Sequence, residues 1–197
     1  MEVASSGRGR VATGERMVTV LFADVRGFTA LAGEVAPADL SDRVAALQRW
    51  ATQEVERRHG IVDKFAGDAV MATFNVSGQS VDHTLQALRA AVAIIDKAAL
   101  AGLPVGAGIA VGPAVVGNLA ASANLSVLGE ATNLASRLQN VASGGEVLLA
   151  EEAYRRSREW LEAQQIQAEQ VKLELKGIPG NVLAYRVATG LALAAPA

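Results

Sequence analysis

Two aspartates, a lysine and an Asn–Arg pair are the residues of this chain best equipped for chemistry. Asp24 stands in Phe22-Ala23-Asp24-Val25-Arg26-Gly27-Phe28-Thr29, directly after the apolar, β-rich run 17–23. Asp68 stands in Asp63-Lys64-Phe65-Ala66-Gly67-Asp68, inside a hairpin signal. An acidic group at the mouth of a buried strand is costly unless it is paired or on a metal. Taken alone, Asp24 reads equally well as a turn or cap aspartate, and Asp68 more readily as an ordinary turn residue. The pair says more. If the hairpin lies beside the first strand, both carboxylates reach one sheet edge. Together with phosphate oxygens they would make a magnesium site.

The neighbouring residues extend that inventory. Gly27 lets the backbone of residues 25–29 approach an anion, and successive N–H groups there can form a nest. One glycine after a strand is more often just a turn. Lys64 follows the apolar Ile61 and Val62. Its default reading is a solvated lysine, but a donor there suits the ring nitrogen of adenine and opposes guanine. Asn133 and Arg137 are four apart in a helical segment, hence on one face. Solvated helix surface is the ordinary reading; a clamp for phosphate charge is the functional one. His59 and His83 lack metal-ligand spacing and read as structural or surface residues. Lys97, Arg155 and Arg156 read as ordinary solvated charges. Two carboxylates, a glycine loop, a lysine and an arginine together fit nucleotide chemistry on a triphosphate.

The elements that must position these groups mix hairpins with crossover helices. Helices are predicted at 37–58, 81–100, 130–141 and 151–160. Strands are predicted at 17–23, 61–65, 70–74, 105–111, 114–116, 125–128, 146–149, 171–175 and 182–187. Gly27, Gly33 and Pro37 mark an irregular turn, and Gly112-Pro113 breaks a strand. The expected fold is α+β, a mostly antiparallel sheet with helices on one face. One domain is expected at 17–188, with a tail or linker at 1–16, a loose loop at 120–124 and a tail at 189–197. The chain has 197 residues, 51% hydrophobic and 19% charged, so a buried core is expected rather than disorder. With no cysteine, disulfides and thiolate metal sites are excluded. A net charge of −2 gives no basic footprint for nucleic acid. No apolar run has the length of a membrane span, and a cytoplasmic location is expected.

At these motifs the chain resembles the catalytic domain of the class III nucleotidyl cyclases, over about residues 14–187. The resemblance includes Val111-Gly112-Pro113-Ala114-Val115-Val116-Gly117-Asn118 and the Leu175-Lys176-Gly177 hairpin. It implies a ferredoxin-like palm, a βαββαβ core with C-terminal additions. It also implies an adenylyl cyclase making cyclic AMP and pyrophosphate from ATP with two Mg2+ or Mn2+ ions per site. Asp24 and Asp68 would hold the metals, with the Val25 carbonyl as an extra ligand. The backbone of Val25, Arg26, Gly27, Phe28 and Thr29 would cradle the triphosphate. Lys64 and Ser126 would read the base, Asn133 orient the ribose, Arg137 stabilise the reacting phosphate and Lys176 touch the terminal phosphates. A head-to-tail homodimer with two composite sites is implied, and a sensor domain where the chain is part of a longer protein. Ser126 stands where the family carries Asp or Thr, nearer the Thr-bearing class IIIb, some of whose members respond to bicarbonate. Glu130 replaces a usual Asp. A guanylyl cyclase, or a non-catalytic cyclase-like module that dimerises or senses nucleotide, are the alternatives.

Overall fold

A computed structural model describes residues 14–78, 80, 82–118 and 125–189. The first apolar run lies within β1 (Gly14–Val25). It reads as continuous rather than alternating because β1 is covered on both faces. Leu21, Ala23 and Val25 enter one core cluster, and Val18 and Val20 the other. After β1 come α1 (Phe28–Glu34), α2 (Pro37–Glu56), β2 (Gly60–Ala66), β3 (Ala69–Phe74), α3 (His83–Leu100) and β4 (Val105–Asn118). These strands lie side by side as β2-β3-β1-β4, the expected βαββαβ core. Then follow β5 (Leu125–Leu128), α4 (Glu130–Val141), β6 (Glu146–Ala150), α5 (Glu151–Ala163), β7 (Ala168–Glu174) and β8 (Asn181–Ala188). They extend the sheet past β4 in the order β6-β8-β7, while β5 pairs with the far end of β4. Among the described strands only β4 and β6 run parallel.

The α+β class and the mostly antiparallel sheet are those expected, with one correction. α2, α3 and α5 pack on one face, and α4 lies on the other, against β1, β4 and β6. Small residues permit this. Ala131, Ala135 and Leu138 form the buried stripe of α4. Opposite them β4 presents Gly106 and Gly108. A Cβ at Gly108 would lie 2.3 Å from the Ala135 carbonyl oxygen and 2.4 Å from the Gln139 nitrogen; one at Gly106 would lie 2.7 Å from the Ser143 carbonyl oxygen. Helix and strand therefore touch backbone to backbone.

Other differences are local. The irregular turn after Gly27 contains the short helix α1. β4 is unbroken at Gly112-Pro113, because Pro113 falls between the stretches paired with β6 (107–109) and β5 (115–118) and costs no ladder bond there. β1 begins at Gly14 rather than 17. The loop at 120–124, the tail up to residue 13 and residues 190–197 lie outside the described residues. Lys97 is no ordinary solvated charge. Its Nζ hydrogen-bonds Oε1 of Glu54, which is 2% exposed and also pairs with Arg58, so α2 and α3 are clamped through an ionic cluster. His83 is buried and structural. Its Nδ1 lies 2.7 Å from Thr19 Oγ1, tying the start of α3 to β1.

Candidate active site

β1 and β2 pair antiparallel with β3 on its two sides, Ala23 of β1 opposite Val70 and Ala66 of β2 opposite Ala69 across the turn. This carries Asp68, in the Gly67–Asp68 turn, to the end of β1 where Asp24 stands. Gln48 of α2 donates to the Gly67 carbonyl at 3.0 Å and holds the hairpin tip. The Asp24 carboxyl lies close enough to Asp68 to raise its pKa, by hydrogen bonding and by charge. Burial first, then Asp24, push the Asp68 carboxyl up to about 6, against the pull of its own N–H and that of Val25. Asp24 is 30% exposed, with Arg26 Nη2 3.0 Å from its Oδ2. Gln139 Nε2 reaches the same oxygen at 3.4 Å, and Arg26 Nη1 donates to the Gln139 carbonyl at 3.1 Å. The Arg26 N–H is anchored on Pro104 O, and Gly27, at φ 64, turns the chain into α1 so that Phe28 and Thr29 open that helix.

The remaining expected residues fall elsewhere on the molecule. Lys64 lies on β2 opposite Met71, past a bulge at Val62/Lys64. Met71 belongs to the core cluster on the α4 side, so Lys64 shares that sheet face with Asp24 while β3 separates their strands. Among the described residues no ion pair joins Lys64 to either aspartate. Its charge instead opposes the effect of burial, which raises the Asp63 carboxyl. Asn133 is exposed on α4 and Arg137 half-buried. The Arg137 Nε is buried with no hydrogen-bond partner. A Cβ at Gly177 would lie 4.0 Å from Arg137 Nη2, so the guanidinium rests against the Lys176–Gly177 turn. That turn borders an open cavity of about 460 Å³ lined by Glu174, Leu175, Lys176, Ile178, Gly180 and Asn181. Ser126 is placed by its backbone on β5, opposite Gly117.

The site residues thus form two groups. Asp24, Asp68 and the 25–29 loop make one; Arg137 and the Lys176 turn make the other. The first group suits a hard divalent cation. Asp24 opposes the ionisation of Asp68, which a cation would relieve. Among the described residues no cluster of three or more His, Asp or Glu occurs. Further ligands would therefore be phosphate, backbone or water oxygens, the donor set of magnesium at phosphate sites. Sequence reasoning missed Gln139 and the role of the Arg26 side chain. The signal for Gln139 was the spacing of Gly106 and Gly108, which marks where α4 meets β4.

A family model described as the adenylate and guanylate cyclase catalytic domain matches residues 11–189. A Mycobacterium bovis adenylate cyclase is 34% identical over 151 residues, 72% of this chain and 33% of that protein. An uncharacterised Mycobacterium tuberculosis protein is 33% identical over 161 residues, 77% of this chain and 30% of that protein. The chain thus spans about a third of the length of the curated relatives it matches. Among solved structures, the adenylyl cyclase CyaB from P. aeruginosa superposes with a TM-score of 0.80 at 27% identity, covering 91% of this chain and 97% of that one. The guanylate cyclase domain of RhGC from Catenaria anguillulae, in complex with GTP, shares the fold with a TM-score of 0.77 at 21% identity, covering 89% and 98%.

Proposed function

We propose that this chain, which belongs to the family of adenylate and guanylate cyclase catalytic domains, is an adenylyl cyclase converting ATP to 3′,5′-cyclic AMP and pyrophosphate. The observation that carries the reading is the meeting of the Asp24 and Asp68 carboxyls beside a glycine-turned loop. Asp24 and Asp68 would hold two Mg2+ or Mn2+ ions, with the Val25 carbonyl as a further ligand. Bound there, such ions lower the pKa of the ribose 3′-hydroxyl and neutralise triphosphate charge. The backbone of Val25, Arg26, Gly27, Phe28 and Thr29 holds the phosphates. Asn133 orients the ribose so that its 3′-oxygen lies in line with the α-phosphorus. A bond forms between these atoms, the α–β phosphoanhydride bond breaks, the hydroxyl proton passes to solvent water and pyrophosphate departs. Arg137 stabilises the charge that grows on the transferring group, and Lys176 contacts the terminal phosphates. Lys64 and Ser126 select adenine.

Several observations support a head-to-tail homodimer. Lys64 is on the Asp24 face of the sheet but has no ion pair with either aspartate, and an ammonium beside the metals would be repelled. Among the described residues, α4 covers β1, β4 and β6 and leaves the β2–β3 part of its face, with Lys64 and Ile61, without a helix. A two-fold axis then forms two equal sites, each with Asp24 and Asp68 from one chain and Lys64, Ser126, Asn133 and Arg137 from the other. Asp24→Ala and Arg137→Ala homodimers should each be nearly inactive. Equal mixing should restore about a quarter of wild-type cyclic AMP formation, because about half the dimers are mixed and each has one intact site. No recovery despite demonstrated subunit exchange would contradict the shared site.

Ser126, where the family carries Asp or Thr, favours the Thr-bearing class IIIb. Bicarbonate should then raise the rate at fixed pH and ionic strength over a chloride control; equal rates would remove that assignment alone. The catalytic domain is proposed to span 17–188 and to act in the cytoplasm, under a sensor domain where the chain is part of a longer protein. Among the described residues no helix is long and apolar enough to cross a membrane.

A further inference from the structure

α4 carries polar groups on two sides. Asn133 and Arg137 share one face. Gln139, two residues beyond Arg137, lies about 200° round the helix from it, and is 5% exposed. Gln139 Nε2 donates to Asp24 Oδ2 at 3.4 Å, and Arg26 Nη2 donates to that same oxygen at 3.0 Å. Arg26 Nη1 closes the ring by donating to the Gln139 carbonyl at 3.1 Å. The arrangement depends on the helix touching the strand. Asp24 pairs with Gly106, and a Cβ at Gly108 would lie 2.4 Å from the Gln139 nitrogen.

We infer that Gln139, with Arg26, is a positioning residue for the Asp24 carboxylate of its own chain, so that each α4 serves two sites. This rests on the composite-site reading above. Arg137 acts in one site, while Gln139 acts through Asp24 in the other. Two donors meeting on Oδ2 fix the carboxylate plane and leave Oδ1 free of both for a cation. Such outer partners of a ligating carboxylate typically matter about 10–100-fold in metal affinity or activity. The long amide contact is the weaker of the two, but it is the one that joins α4 to the aspartate by a side chain.

Mixed dimers separate this from a merely structural role. In the dimer of Asp24→Ala and Arg137→Ala chains, the intact site takes Asp24 from the Arg137→Ala chain and Arg137 from the Asp24→Ala chain. Adding Gln139→Met to the Arg137→Ala chain should lower cyclic AMP formation about 10–100-fold. The same change on the Asp24→Ala chain should leave the rate unchanged, since the Gln139 there faces an alanine. Loss in both placements, or only in the second, would mean that Gln139 shapes α4 for Arg137 and would overturn the inference. So would no loss in either. Gln139→Glu, closer in shape, gives the same comparison if the methionine variant does not fold. Independently of turnover, Mn2+ alone should bind Gln139→Met homodimers about 10-fold more weakly than wild type by electron paramagnetic resonance titration. Unchanged affinity would also overturn it. A mixed dimer already inactive with Gln139 intact contradicts the composite site instead, and the Mn2+ titration then decides the positioning role.

Discussion

At the residue scale the site is built around an electrostatic conflict. Asp68 meets Asp24 at the end of β1, and its carboxyl is raised from 3.8 to about 6 by burial and by that neighbour. The folded pKa exceeds the unfolded one. In the metal-free protein, the stabilisation linked to the Asp68 proton is therefore complete below about pH 3.8 and lost as pH rises through about 6. Asp68→Asn should accordingly raise the melting temperature of the metal-free protein at about pH 8 and change it little at about pH 4. Equal effects at both pH values would contradict the assigned shift. The two aspartates were legible in the sequence because each follows or interrupts an apolar strand. Their contact was conditional on the hairpin pairing with β1, which no local pattern specifies. Gln139 was not legible. A glutamine on an amphipathic helix looks solvated until the glycines of β4 reveal how closely the helix approaches.

At the element scale, periodicity located α2, α3, α4 and α5 to within a few residues, because each carries an apolar stripe. It did not reveal which sheet face a stripe meets, and α4 took the unexpected side. α1 was hidden by Gly27, Gly33 and Pro37, whose turn signals outweigh a helix of seven residues. Nor does sequence spacing announce an ion cluster formed across 43 residues. Burial would raise the Glu54 carboxyl, but hydrogen bonds and charge from Lys97 and Arg58 outweigh it and lower its pKa below 4.5. That contribution is present above about pH 4.5 and lost as pH falls through the lower, folded value. Lys97→Met should cost about 1.5–3 kcal/mol near neutral pH, as for hydrogen bonds to charged groups. Urea denaturation checks this, and the difference from wild type should shrink in acid. A difference independent of pH would place the effect in the lysine's packing rather than in the cluster.

At the scale of the whole molecule, the β2–β3 half of the α4 face has no helix over it among the described residues, and the functional groups divide into two sets on one chain. That division is what a second copy completes in the reading proposed here. Membership of the cyclase family was legible from the ordered motifs, whereas the choice of base rests on Lys64 and Ser126 alone. The most direct measurement gives the purified chain ATP or GTP with Mg2+ or Mn2+ and identifies the products. Equimolar cyclic AMP and pyrophosphate should form from ATP, faster than cyclic GMP forms from GTP, and chelation of the metal should stop both. Faster cyclic GMP formation, or no cyclic nucleotide from either substrate by a folded protein, would contradict the account.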